Sequence, residues 1–424
     1  VVNNDIIEAI YIAPNSSLDQ NSVHVDDHAE FINNGTIGGI NATGVYLNNN
    51  STFENTVSGV INNASNYGVR AENQSSAVNE GLIQNTGNYG AAVYNGSIVE
   101  NGVNGIIENT GMNGMYAEGS SSSAINRGII GNNGSYGMWV SQGTGENYGT
   151  IQNNGSYGMF GEENGRVDNY GFIQNSGAYG MQVKSGATGV NQAGGIIGNI
   201  GNHGMNVTAT GTVFTTATNN GLVQNTGDDG MSSSGAYGLI TNNGTIENTG
   251  IRGMVAENRS TAVNKGIIGN NGSYGMWVSQ GAGENNGTIQ NNGSYGMFGE
   301  ENGGVSNYGF IQNGGAYGMQ AQSGATAINH SGGIIGNIGN HGMNVTAPGS
   351  TLTTATNHGL IQNTGDSGMS SSGAYGMITN NGTIENTGIH GMAAENESTA
   401  VNMGIIGNNS SYGIWVSQGT GRNY

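Results

Sequence analysis

The sequence predicts an all-β fold, a parallel β-helix, and three observations predict it. They are a repeat of one solenoid coil's length, period-two alternation within each repeat, and a composition that only stacking makes foldable. The chain has 424 residues, of which 81 are Gly and two are Pro, and 34% are hydrophobic. So much Gly with so few large apolar side chains favours disorder, unless a period lets small apolar faces stack on one another. The period therefore decides the class.

A Gly–x–Ile/Val anchor recurs 17 times, from Gly35 through Gly128, Gly149, Gly171, Gly195, Gly221, Gly244 and Gly266 to Gly404. The steps run from 21 to 26 residues and average about 23 residues, the size of one β-solenoid coil. The step order 21, 22, 24, 26, 23, 22 occurs twice, from Gly128 and from Gly266, so a longer unit of six coils repeats. Between Gly128–Lys265 and Gly266–Met403, 115 of 138 positions are identical.

Within a coil the alternation has the strand period of two. In the coil of Gly128, the set Ala124, Asn126, Gly128, Ile130 and Asn132 is expected inside, and Ile125, Arg127 and Ile129 outside. After the turn "GSYG" a second strand is expected to send Met138 and Val140 inward and Trp139 outward. The coil of Gly171 reads alike, with Met181 and Val183 inside and Gln182 and Lys184 outside. Recurring Asn residues fit amide ladders, which hydrogen-bond from coil to coil at about 4.8 Å spacing. Gly is read as supplying turn conformations that a side chain blocks. A lone coil cannot offset the entropy of ordering some 20 residues at about 1–2 kcal/mol each, so only stacking closes the gap.

The expected architecture is thus a right-handed parallel β-helix of about 17 coils over residues 31–424, a rod of roughly 80 Å. Residues 1–30 lack the anchor and are read as an N-terminal cap or lead-in. The start at Val1, without Met or signal segment, is read as a processed end or as the boundary of an excised piece, and the unfinished coil at "GTGRNY" as continuing beyond residue 424.

Charge and cysteine content narrow the function. Eight Lys and Arg against 27 acids give a net charge of −19, which argues against nucleic acid and against polybasic membrane attachment. No run approaches the 18 apolar residues of a membrane span, so this region is not expected to insert. With no Cys, disulfides and cysteine metal sites are ruled out. A chain without Cys also suits export unfolded through an oxidising compartment.

The coils "NNGTIENTGIRGM" and "NYGTIQNNGSYGM" resemble the Asn/Gly-rich coils of autotransporter passenger regions, the type V secreted surface proteins of Gram-negative bacteria. The resemblance extends over nearly the whole chain from about Asn33. It implies an extracellular region exported through a C-terminal outer-membrane β-barrel and used in adhesion and virulence. Its partner would be a receptor or glycan on a host or neighbouring cell. Two other classes stay open: a stalk or fibre subunit that self-associates head to tail through its end strands, and a polysaccharide-degrading β-helix enzyme.

Candidate site residues follow from the comparison of copies. The carboxylate pair Glu162/Glu163, repeated as Glu300/Glu301, is what an enzyme reading would use, yet adjacent strand residues face opposite ways and no Lys or Arg cluster backs them. His203 and His341 lack a second ligand at metal spacing, and Asp228/Asp229 lack a calcium-loop pattern, so no catalytic group, metal or cofactor is expected. The aromatic set is more telling. Tyr136, Tyr157 and Tyr179 share one position in successive coils, with Trp139 and Phe160 three residues after the first two. The set returns as Tyr274, Tyr295, Tyr317, Trp277 and Phe298, and begins again at Tyr412 and Trp415. One reading is a ladder of rings that stabilises the turns. The other is an outward binding strip, edged by Glu162 and Glu163, that contributes little to the core. Six coils apart, its copies would recur at intervals of about 29 Å and give avidity.

Overall fold

Each coil is built from three short strands, and the residue that separates them can be named. In the computed structural model the coil of Gly128 comprises Ser123–Asn126, Ile129–Gly131 and Tyr136–Ser141. The next coil repeats them as Thr144–Asn147, Thr150–Gln152 and Tyr157–Glu162. Equivalent strands pair in parallel with like over like: Asn126 on Asn147, Ile130 on Ile151, Met138 on Met159. The result is a β-solenoid with three parallel sheets and about 18 turns of roughly 22 residues. The structure describes residues 2–3, 6–7, 21–40, 43–174, 176–312 and 315–424. These divide into two compact units, Val1–Asn206 with Val213–Gly221, and Val207–Thr212 with Leu222–Tyr424, each a stack of such coils.

The core is a set of columns. Ile130, Ile151 and Ile173 on the second sheet, and Met138, Met159 and Met181 on the third, are fully enclosed, as expected. Beside them Asn126 donates its amide to Asn147 Oδ1 at 2.7 Å, and Asn147 donates to Asn169 at 2.7 Å. From Asn33 to Asn402 each ladder Asn also reaches a backbone carbonyl, as Asn169 does with Gly171 O at 3.1 Å, so these buried amides are satisfied.

Three details differ from the alternation pattern. The segment Ala124–Asn132, expected as one strand, is two strands in two sheets, bent at Arg127–Gly128. Asn132 faces solvent rather than the core, because its φ of 55° is left-handed; the sign change restarts the alternation and turns Asn133 inward. The anchor glycines do not have positive φ. A Cβ at Gly149 would lie 2.1 Å from the carbonyl oxygen of Gly128 in the coil before, so Gly serves close stacking while Asn supplies the left-handed turn.

Within the N-terminal lead-in, Val2–Asn3, Ile6–Ile7 and Asn21–Val25 pair with Glu30–Asn33, Thr36–Ile40 and Thr43–Leu47 as a coil of the same kind. Residues 1, 4–5 and 8–20 of that lead-in lie outside the described residues.

Candidate functional site

The outer face of the third sheet carries the aromatic set. Tyr136 stands at the rim where the chain leaves its turn, and alternation then sends Met138 and Val140 inward and Trp139 outward. Register places Tyr136, Tyr157 and Tyr179 in one row and Trp139, Phe160 and Gln182 in the next. The Tyr136 and Tyr157 rings are 4.8 Å apart and within 7° of parallel, and Tyr157 and Tyr179 are 5.2 Å apart. His203 closes the row against Tyr179 at 5.4 Å, its ring tilted by 30°.

The second row is less open than its outward direction suggests. Phe160 is only 3% exposed and Phe298 6%, although both point away from the core. Trp139 and the rims of Tyr136 and Tyr157 close over Phe160, with ring separations of 6.0, 5.3 and 5.5 Å. Trp139 itself is half-buried, 5.1 Å from Tyr116 and 5.2 Å from Tyr136. An outward residue between parallel neighbours above and below is shielded by their side chains, and large rings shield one another most.

The carboxylates take separate partners. Trp139 donates its indole N–H to Glu162 Oε1 at 3.0 Å, and the Lys184 ammonium lies 3.0 Å from Glu162 Oε2. Glu163 sits in the following turn with a φ of 51° and accepts from Ser141 Oγ at 3.2 Å and Gln142 Nε2 at 3.1 Å. Glu301 repeats this with Ser279 at 2.9 Å and Gln280 at 3.2 Å. Glu162 and Glu163 are thus each engaged by different hydrogen-bond and ion-pair partners.

In the second copy, Tyr274, Tyr295 and Tyr317 stack at 4.8 and 5.2 Å and end on His341 at 5.6 Å. Burial pushes the His341 imidazole pKa below its ordinary value, against the opposing pull of Asp366 and Glu395. Trp277 carries the Arg252 guanidinium 4.7 Å from its ring, and Arg252 is held by buried Asp229 through bonds of 2.7 and 3.2 Å. Asp229 is thus committed to an ion pair, and among the described residues no group of three or more His, Asp or Glu is placed to hold a metal. Glu300 hydrogen-bonds the Trp277 indole; burial, then the neighbouring Glu301, raise its pKa, while that bond and Arg252 oppose the shift. The third appearance of the set pairs Trp415 with His390, stacked at 5.3 Å and 8°, beside exposed Tyr412.

Two surface features were not read from the sequence. A shallow groove follows the left-handed turns, lined by Asn109, Asn132 and Asn153 with Gly111, Gly134 and Gly155, two residues before the Tyr row. The outer face of the second sheet also carries large exposed side chains. Phe172 is 49% and Phe310 50% exposed, in register with Thr150 and Thr288, and Tyr148 and Tyr170 stack nearby at 4.6 Å. The signal was present in the middle residue of each Gly–x–Ile anchor, which becomes visible as a surface row only when read down the coils.

Among the described residues no helix is long and apolar enough to cross a membrane. No protein-family model matches the chain, and no curated protein matches it.

Proposed function

We infer that the chain is the binding region of an extracellular bacterial surface adhesin, with the aromatic patches of the third sheet as its contact surface. One observation carries this reading. The patch Tyr136, Trp139, Phe160, Glu162 returns in the second copy as Tyr274, Trp277, Phe298, Glu300, with the same Tyr–Tyr and Tyr–Phe ring contacts and the same indole-to-carboxylate bond, although Trp277 lies under Arg252 where Trp139 packs on Tyr116 and Tyr136. Half-buried rings held rigid by their neighbours lose little freedom on binding, which favours recognition of a receptor or glycan. The groove of Asn amides beside the Tyr row adds hydrogen-bonding capacity of the kind sugar hydroxyls use. The resemblance to autotransporter coils supports the surface location. No enzyme activity, cofactor, nucleic acid or membrane insertion is part of the reading.

Replacing Trp139, Trp277 and Trp415 together with Ala should reduce cell attachment far more than soluble monovalent binding, where each site loses about 1–2 kcal/mol. Circular dichroism of the variant checks that the coils persist. A structural, self-associating subunit is the second reading, favoured by the exposed rings of Phe172 and Phe310. Attachment unchanged in the triple variant, with sedimenting assemblies that dissolve in Phe172→Ser/Phe310→Ser, would establish that reading instead.

A further inference from the structure

One of the differences between the two copies of the long repeat removes a cation from the aromatic patch itself. In the first copy the Lys184 ammonium lies 3.0 Å from Glu162 Oε2 and 4.9 Å from the centroid of the Phe160 ring. A carboxylate and a ring face together hold an ammonium more firmly than either alone, the more so where water is partly excluded. The second copy keeps the receiving groups: Trp277, Tyr295, Phe298 and Glu300 repeat Trp139, Tyr157, Phe160 and Glu162. The Tyr–Phe wall keeps its arrangement, with Tyr295 and Phe298 5.2 Å apart against 5.5 Å for Tyr157 and Phe160, whereas Trp277 packs against Arg252 rather than on the rings that Trp139 meets. Gln322, however, stands where Lys184 did.

Nothing else in that copy supplies the lost charge, since residues 266–403 contain no Lys or Arg. Arg252, from the preceding coil, acts on Glu300 but is held by both oxygens of Asp229 and lies over Trp277. Glu300 is a half-buried carboxylate that lacks the ammonium its first-copy counterpart holds, while the Phe298 wall remains.

We propose that the Phe298–Glu300 site binds a primary alkylammonium group, the side chain of a lysine on a protein partner, in the position that Lys184 occupies in the first copy. The first copy is then a self-filled form of the same site. The incoming lysine displaces the Gln322 side chain, a neutral group replaced by a charged one at a carboxylate. This rests on the reading of the third-sheet patch as a contact surface, and it names the group that the patch receives.

The test titrates Nα-acetyl-L-lysine N-methylamide into the whole chain and follows the three indole N–H resonances by NMR. The norleucine analogue, which lacks the ammonium, is the control. The Trp277 resonance should shift saturably with the lysine probe and not with the control, while Trp139 stays still. Gln322→Lys should weaken the response about tenfold or more, by filling the site from within. Lys184→Gln should open the first site and make Trp139 respond. Both substitutions install a residue that the other copy already folds with, so misfolding does not imitate either result. A Trp277 shift unchanged in Gln322→Lys, or a silent Trp139 in Lys184→Gln, overturns the proposal. Full cell attachment by Gln322→Lys, with loss in the triple Trp variant, would reject lysine as the ligand group and leave the adhesion reading in place.

Discussion

Asn147 and Asn153 lie six residues apart and do unrelated work. Asn147 is enclosed, accepting from Asn126 and donating to Asn169 at 2.7 Å each, whereas Asn153 is exposed with a φ of 53°. Asn147→Leu strands an amide on one neighbour and a carbonyl on the other, so urea unfolding should show a loss of about 2–4 kcal/mol. Asn153→Gly should be close to neutral, and Asn153→Val should cost about 1–2 kcal/mol by forcing a branched residue into the left-handed region. The ladder was legible in the sequence because the same residue recurs at the same inward place in coil after coil. The left-handed Asn was not, because alternation counts positions and carries no sign of φ; hence Asn132 was expected inside. Glu300 gives a pH signature at the same scale. Its pKa is raised in the folded chain, so the folded state holds its proton more tightly than the unfolded one. Stability therefore falls as pH rises from the unfolded value through the folded one, and the penalty is complete above both. Glu300→Gln, which keeps an acceptor for the Trp277 indole, should raise the Tm at pH 7 and leave it little changed near pH 3.5, below the ordinary Glu value. Equal shifts at both pH values would remove the titration from the explanation.

A strand of the third sheet is stabilised on both faces, and this changes what its outward residues are worth. Met138 and Val140 fill the core so closely that a Cβ at Gly145 would lie 2.6 Å from each side chain. On the other face Trp139 meets Tyr116, Tyr136 and Phe160 and bonds Glu162. The sequence supports the direction of Trp139 and Phe160 through alternation, but not their covering. Covering depends on which side chains stand one coil above and below, and strand periodicity contains no such term. The expectation that these rings add little to stability is accordingly revised. Three ring contacts at about 0.5–1.5 kcal/mol each make Trp139→Ala cost about 2–4 kcal/mol, measured as a shift of the unfolding midpoint. Phe172→Ala, on the second sheet with half its surface in water, should change stability by no more than about 0.5 kcal/mol. A Trp139 variant as stable as the parent would restore the view of the strip as a surface display alone.

Over the whole chain, charge is distributed as unevenly as the rings are regular. The first copy of the long repeat has five Lys or Arg against eight acids, and the second has none against seven. Arg166, Lys184 and Arg252 in the first copy are paired with Asp168, Glu162 and Asp229, so three of its five cations are neutralised locally. A net charge of −19 on such a chain attracts cationic partners over distances set by the ionic strength, and it repels anionic ones. This separates the ligand classes that the aromatic patch admits. A lysine-bearing protein should associate faster at low salt, with its association rate falling about tenfold or more between roughly 0.02 and 0.5 M NaCl while dissociation changes little. A neutral glycan, bound through ring faces and amides, should show no such dependence, because neither contact involves a net charge on the ligand. Surface plasmon resonance across that salt range, with the same chain and each ligand immobilised in turn, distinguishes the two. A flat association rate for the basic protein would mean that the acidity of the second copy plays no part in capture.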